Sequence, residues 1–231
     1  MSSLNELADK IPTLGFGGNT IKNSLIELVS GVQDNTAIVD IGPWLGSTTA
    51  YLSVGIHKYK KKNIEIHCYD KWLIDNAYIT KMKKYRMDLK KDSDALPLFM
   101  KNLVPFNTTI VPHKRDLKAV KSYDGPRISL LIDDICNGKK MTDKMFDLFL
   151  PSLIPGSIIV MMDYFHFQLS PEKYRHPLYS YQKRLMEMNP EVFTPIERLS
   201  GYTERVKTVP TSTTMSMVFK YNGGNPVLCQ E

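Results

Sequence analysis

The sequence has few cysteines, no long apolar run and no low-complexity segment. Its three cysteines, Cys68, Cys136 and Cys229, are far apart, and none belongs to a CxxC pair. This spacing argues against a disulfide framework and against a zinc site, and it favours a reducing, cytoplasmic setting. No apolar run approaches the roughly 18 residues that a membrane-spanning helix needs, so no membrane partner is expected. The first ten residues carry two acids and no apolar core, which predicts no secretory signal.

The remaining composition is that of an ordinary globular chain. The 231 residues are 42% hydrophobic and 10% aromatic, enough for one domain over 1–231 with a sizeable core. A net charge of +6 raises nucleic acid or an anionic substrate as partners. Much of the excess lies in two lysine-rich clusters, at 58–62 and 81–91, which are typical of solvated helix faces. Charge by itself therefore assigns no partner.

Short apolar segments alternate with segments of helical period, a pattern that predicts an α/β fold. Near-continuous apolar strands separated by helices indicate a mostly parallel sheet that is covered on both faces. The last third differs, because a helix over 171–189 is followed by two strands with no crossover helix between them. This predicts an antiparallel edge strand and seven strands in all. They are predicted at 36–41, 64–69, 108–111, 128–132, 157–161, 192–199 and 214–219.

An acid follows nearly every predicted parallel strand. In open α/β sheets, ligands bind outside the carboxyl ends of the strands, so these acids are expected to share one site. They are Asp40, Asp70, Asp116, Asp133 with Asp134, and Asp163.

The turn after the first strand is rich in glycine. Asp40 is followed by Gly42 and Gly46 and then by Ser47, a spacing that matches neither GxGxxG nor GxxxxGK[ST]. Glycines without Cβ atoms let a ligand approach the backbone. The turn holds no lysine, so it suits the neutral or zwitterionic end of a cofactor better than a polyphosphate. Asp70, about 30 residues further on, is placed to accept both ribose hydroxyls of an adenosine.

These segments together resemble class I S-adenosylmethionine (SAM)-dependent methyltransferases. Residues 38–52 resemble the first motif of that family and 64–70 the second, while 130–133 and 148–164 are similar to its fourth-strand and fifth-strand blocks. The resemblance spans about residues 36–165 and is closest to small-molecule O-methyltransferases of the macrocin, sugar and catechol type. It implies a Rossmann-like class I methyltransferase fold with SAM as cofactor.

The resemblance also implies roles for individual residues. Gly42 and Gly46 would line the methionine part of SAM, and Asp40 would either act near its amino group or order the loop. Asp70 would bind the ribose, and Trp72 would neighbour the adenine. The full set implied to bind the cofactor is Asp40, Gly42, Trp44, Gly46, Ser47, Asp70, Trp72, Asp116 and Asp133.

Two routes remain open for removing the proton of the acceptor hydroxyl. Metal-dependent members of the family hold a divalent cation, and Asp133 and Asp163 match two of its ligands, which makes Mg²⁺ a candidate cofactor. Tyr164 beside Asp163 is a poor ligand for a hard cation. Without a metal, His166 is the first candidate for the base and Asp134 the second, with Asp133 at the reaction centre.

The remaining segments predict how the acceptor is held. Residues 1–35 are expected to form a helical cap, and 71–106 a helical insertion that covers the acceptor pocket as a lid. The expected reaction moves a methyl group to a hydroxyl of a sugar, a phenol or a natural-product intermediate. A nucleic-acid acceptor is disfavoured because Asp133-Asp-Ile-Cys136 stands where amine-methylating enzymes carry an Asp/Asn-Pro-Pro-aromatic motif. A non-catalytic SAM-binding scaffold stays an alternative, and a homodimer stays open.

Overall fold

The computed structural model describes residues 3–13, 21–85, 87–135, 138–162, 164, 181–198 and 216–228. Its centre is a seven-stranded sheet in the order β3-β2-β1-β4-β5-β7-β6. The first five strands are parallel, and β7 runs antiparallel to both β5 and β6. The strands are β1 (Ala37–Ile41), β2 (Glu65–Asp70), β3 (Thr109–Lys114), β4 (Ile128–Asp133), β5 (Leu153–Met161), β6 (Phe193–Arg198) and β7 (Met217–Tyr221).

The sheet confirms the predicted α/β fold and refines it in two places. The antiparallel strand β7 lies between β5 and β6, so β6 is the edge strand. Strand β5 begins at Leu153, four residues before the predicted start, because Leu153 already pairs with Ile128 ahead of an irregular turn. Of the predicted helix over 171–189, only its second half falls on described residues.

Helices cover both faces of the sheet. Alternate residues of one strand point to opposite faces, and in β1 both kinds are fully buried: Ile38 lies in one core cluster and Val39 in the other. This two-sided burial is why the strands read as continuous apolar runs. The helices are α1 (Leu4–Asp9), α2 (Lys22–Leu28), α3 (Ser47–Lys58), α4 (Asn76–Met82), α5 (Leu96–Leu103), α6 (Lys139–Phe149) and α7 (Tyr181–Met188). Within the described ranges, no helix is long and apolar enough to cross a membrane.

The insertion between β2 and β3 holds α4 and α5 and is anchored to the core. An isolated bridge pairs Leu73 with Asp94 at its base. Trp72 is fully buried there, with its ring 4.8 Å from that of Phe99 on α5. The segment is therefore helical and packed at its base, and its predicted function as a lid stays a prediction. At the other end of the chain, α1 and α2 pack against α3, and the boundary of the predicted cap at residue 35 stays a prediction as well.

The connection from β3 to β4 differs from the other parallel crossovers. The crossovers from β1, β2 and β4 each contain at least one α-helix, whereas residues 115–127 contain a single 3-10 turn at Leu117–Ala119. Within the described residues, this connection therefore places no α-helix over β2 and β3.

Candidate functional site

The carboxyl ends of β1, β2 and β4 meet around Gly42. Ile41, the last residue of β1, lies opposite Tyr69 on one side and Asp133 on the other. The Gly42 N–H donates to the Tyr69 carbonyl at 2.9 Å, and the Asp134 N–H donates to the Ile41 carbonyl at 3.1 Å. The glycine turn is thus fixed to both neighbouring strands, and the acids that end those strands lie on either side of it.

Asp40 is a deeply buried acid of the site. Only 1% of its surface is exposed, and the Thr49 hydroxyl on α3 donates to its Oδ2 at 2.7 Å. Burial raises the pKa of Asp40 to about 7, the Thr49 bond opposes this, and the charge of Asp70 adds to it. A buried carboxyl with this pKa changes its charge state near neutral pH.

Asp70 accepts hydrogen bonds from the backbone of two tryptophans, both of which have a left-handed backbone conformation. Its Oδ2 accepts the Trp44 N–H at 3.1 Å, and its Oδ1 accepts the Trp72 N–H at 2.7 Å. The indole Nε1 of Trp72 donates to the Trp44 carbonyl at 2.7 Å. Because φ is +46° at Trp44 and +45° at Trp72, both sites carry strain that these bonds offset. Burial raises the pKa of Asp70, partly opposed by its bonds to backbone N–H groups.

The ring of Trp44 stacks on Tyr78 of α4, with ring centroids 5.1 Å apart. Burial raises the pKa of Tyr78 to about 12, with further contributions from Asp70, Asp75 and Asp134, so its phenol lies near the acids of the site. Tyr78 was not among the sequence-based candidates, since the predicted lid over 71–106 was the only signal that pointed to this segment. The indole Nε1 of Trp44 is buried and has no hydrogen-bond partner among the described residues.

The two glycines of the turn face different neighbours. Gly42 has φ +81°, and a Cβ built on it would lie 2.5 Å from Cγ2 of Ile135, in the loop after β4. Gly46 has φ +93°, and its Cβ would lie 3.2 Å from Leu103 and Phe99 of α5. Gly42 is therefore required for the close approach of the loop after β4, and Gly46 for the packing of α5. Ser47, the first residue of α3, is buried beside them.

Asp133 links the end of β4 to α7. Its Oδ2 accepts from Nε2 of Gln182 at 2.9 Å, its Oδ1 accepts the Ile135 N–H at 3.2 Å, and it is 1% exposed. Gln182 is 49 residues away in sequence and carries no motif, so no sequence signal could have found it. Asp134, by contrast, is exposed. These contacts make Asp133 the residue that positions the loop beside Gly42.

Two residues predicted to act in the catalytic step, the metal ligand Asp163 and the base His166, lie outside the described residues. Among the described residues, no group of three or more His, Cys, Asp or Glu side chains could hold a metal ion. The predicted Mg²⁺ site at Asp133 and Asp163 and the predicted base His166 therefore stay predictions.

Asp116 and Trp72, which were predicted to contact the cofactor, both make structural contacts within the chain. Asp116 accepts the Lys118 N–H at 3.0 Å and pairs with Lys71 at 2.8 Å, bonds that lower its pKa. Trp72 is fully buried against Phe99 and supports the turn from within the core. Their contacts with adenine stay predictions.

Comparison with known proteins by sequence finds neither a matching family model nor a matching curated protein. Solved structures do match. The O-methyltransferase TomG of Streptomyces achromogenes, involved in tomaymycin synthesis and solved with SAM, is 15% identical over 96% of this chain and 89% of its own, with a TM-score of 0.60. A Klebsiella pneumoniae protein named as a candidate O-methyltransferase is 13% identical over 95% and 87%, with a TM-score of 0.59. The O-methyltransferase NovP is 9% identical over 87% and 79%, with a TM-score of 0.54.

These similarities establish the class of fold. The chain has the mixed seven-stranded fold of class I methyltransferases. At identities of 9% to 15%, the fold is what the comparisons show, and the activity has to be argued from the residues.

Proposed function

We propose that the chain is a SAM-dependent methyltransferase that moves a methyl group to a hydroxyl of a small molecule. One observation carries the proposal: the structure brings Asp40, Asp70 and Asp133 together around the Gly42 turn, at the carboxyl edge of the sheet. Ligands of open α/β sheets bind at this edge. The O-methyltransferases with the same fold, TomG among them, support the choice of reaction.

The residues present fit SAM. A carboxylate has about four acceptor positions, so Asp70 can bind ribose hydroxyls while it holds the Trp44 and Trp72 N–H groups. The unpartnered Nε1 of Trp44 is a donor that a ligand oxygen would satisfy. Ile135 lies against Gly42 and has to shift before a ligand reaches that part of the turn. When bound, SAM supplies the methyl group as an electrophile on its sulfonium.

The acceptor hydroxyl has to be oriented and to lose its proton. Asp133 fixes the loop that carries Asp134, and Asp134 is the exposed acid on that loop. The proposal keeps Asp134 and His166 as candidate bases. No step is assigned to Mg²⁺, since Asp163, the second predicted ligand, lies outside the described residues.

Calorimetric titration with SAM and with S-adenosylhomocysteine (SAH), each with and without Mg²⁺, tests the cofactor. We expect micromolar binding of both, and failure of both to bind would contradict the proposal. Tighter binding with Mg²⁺ would support the predicted metal site at Asp133 and Asp163.

A panel of hydroxylated sugars and phenols, screened by SAH release, then tests the acceptor. Release with RNA alone would point to a nucleic-acid acceptor, and binding without release to any acceptor would favour a scaffold.

Trp44→Phe is expected to weaken SAH binding about 5- to 10-fold, because it removes a buried donor worth about 1 kcal/mol. Trp72→Phe is the matched control, since it removes the same ring volume and an N–H that is bonded to the Trp44 carbonyl. We expect Trp72→Phe to lower stability more and SAH affinity less than Trp44→Phe. Equal SAH affinities of Trp44→Phe and wild type would show that the indole N–H does not face the cofactor.

Asp133→Asn is expected to lower turnover at least 10-fold and to change the Kd of SAH by less than about 3-fold. The amide of Gln182 can rotate to accept from the introduced NH₂ group, so the fold is kept, as thermal unfolding would verify. The measurement compares kcat on the first acceptor found with SAH calorimetry. Equal losses of turnover and affinity would place Asp133 in the cofactor site instead.

A further inference from the structure

A cavity of about 300 Å³ lies beside β2 and β3, where the connection to β4 lacks a helix. It lies on the sheet face opposite α3, because Tyr69 belongs to the core cluster on that face, whereas the preceding Cys68 belongs to the cluster under α3. The residues of the turn around Gly42 are not among those that line the cavity. Its lining residues are Tyr69, His113, Arg115, Ala119, Val120, Lys121, Ser122 and Asp124.

A chain of hydrogen bonds fixes the His113 ring in this cavity. Nε2 of His67 lies 2.9 Å from Oε2 of Glu65, and Nδ1 of His67 lies 3.0 Å from Nε2 of His113. With both imidazoles neutral, Nε2–H of His67 donates to the Glu65 carboxylate, so its Nδ1 is an acceptor. His113 must then donate from Nε2, which leaves Nδ1 of His113 with its lone pair.

The ring of His113 is held by stacking, in surroundings that favour its uncharged form. It stacks on Tyr69 with centroids 4.2 Å apart and an interplanar angle of 4°. Burial is the largest cause that lowers the pKa of His113, and the nearby His67 lowers it further. Asp124 raises this pKa, and Arg115 has a smaller lowering effect. His113 therefore offers the cavity a neutral hydrogen-bond acceptor near pH 7.

The cavity also has a surplus of positive charge. Neither Arg115 nor Lys121 has a carboxylate within 4 Å in the part of the chain that the structure describes, whereas Lys71 and Lys114 are both paired. Asp124 is the one acid among the lining residues. Two unpaired cations against one carboxylate favour a ligand that carries negative charge.

We propose that this cavity binds an oxyanion group, phosphate or carboxylate, of a small hydroxylated molecule. Arg115 and Lys121 bind the anion, and a hydroxyl of the same molecule donates to His113. This site does not depend on the proposed methyl transfer, since it uses none of the acids around Gly42.

Calorimetry with inorganic phosphate at constant ionic strength tests the site. We expect a millimolar or tighter Kd for wild type and at least a 5-fold weaker one for Arg115→Ala and Lys121→Ala. Lys118→Ala is the matched control, because Lys118 is an exposed cation on the same turn that does not line the cavity. Absence of phosphate and carboxylate binding, or an equal loss with Lys118→Ala, would overturn the proposal.

Further arms identify the ligand. Ribose 5-phosphate, ribose and succinate are compared under the same conditions. A hydroxylated phosphate is supported if ribose 5-phosphate binds more tightly than inorganic phosphate and if His113→Phe loses part of that difference. A carboxylate ligand is supported if only succinate binds. Binding of ribose as tight as that of its phosphate would overturn the role of the anion. The Kd of SAH should be unchanged in Arg115→Ala and Lys121→Ala, so failure here and failure of the proposed function are separate results.

Discussion

Asp40→Asn is expected to abolish a pH-dependent loss of folding stability. In wild type, titration of the Asp40 carboxyl should lower the free energy of unfolding by about 2 to 3 kcal/mol between pH 5 and pH 8. The pKa of Asp40 rises from its ordinary 3.8 to about 7 in the folded chain, because the carboxylate is buried. Between these two values, the folded state binds more protons than the unfolded state. The stabilisation that the protonated Asp40 carboxyl contributes is therefore fully present below about pH 4 and is lost as the pH rises towards 7.

The variant keeps the shape and the bond of the site. The amide oxygen still accepts from the Thr49 hydroxyl, and the amide does not ionise. Urea unfolding of both proteins at pH 5, 6, 7 and 8 measures the effect, and the difference between the two curves cancels the other titrating groups. Parallel curves for the two proteins would show that Asp40 titrates at its ordinary pKa and is not a buried neutral acid.

Asp70→Ala is expected to destabilise the fold by about 3 to 5 kcal/mol and to abolish measurable SAH binding. The carboxylate accepts two N–H groups, from Trp44 and Trp72, and hydrogen bonds to a charged group contribute about 1.5 to 3 kcal/mol each. Without these bonds, less of the strain in the left-handed conformation of the two tryptophans is offset.

Asp116→Ala is the control for Asp70→Ala, because it also removes an acid that follows a strand. Asp116 also accepts an N–H and pairs with a lysine, but its side chain is 35% exposed, so we expect a loss below about 1 kcal/mol. Thermal unfolding and SAH calorimetry of both variants provide the comparison. Wild-type stability of Asp70→Ala would contradict the structural role of the carboxylate, and wild-type SAH affinity would contradict its role towards ribose.

The sheet could be predicted from the sequence because its signals are local. The parallel strands are short apolar runs, each followed by an acid, and parallel strands bring such acids to one edge whatever the details of packing. Asp40, Asp70 and Asp133 were found in this way. The position of β7 between β5 and β6 was not, because strand order depends on contacts that no single segment records.

The contacts within the site were less predictable for the same reason. A glycine in a turn shows that a Cβ is excluded there, but not which group takes its place, and at Gly46 that group is α5. Tyr78 and Gln182 reach the site from distant segments, through stacking on Trp44 and a bond to Asp133. Neither belongs to a motif, so only the folded chain identifies them.

The strand order also determines when the sheet can be completed during synthesis. Among the described strands, β6 hydrogen-bonds only to β7, yet β7 follows it in the chain. As the polypeptide leaves the ribosome, Phe193–Arg198 has no strand to pair with until Met217–Tyr221 has also emerged. Until then, β5 keeps an open edge on which another nascent chain could add a strand. Strand β7 thus pairs with β5 on one side and with β6 on the other as soon as it has emerged.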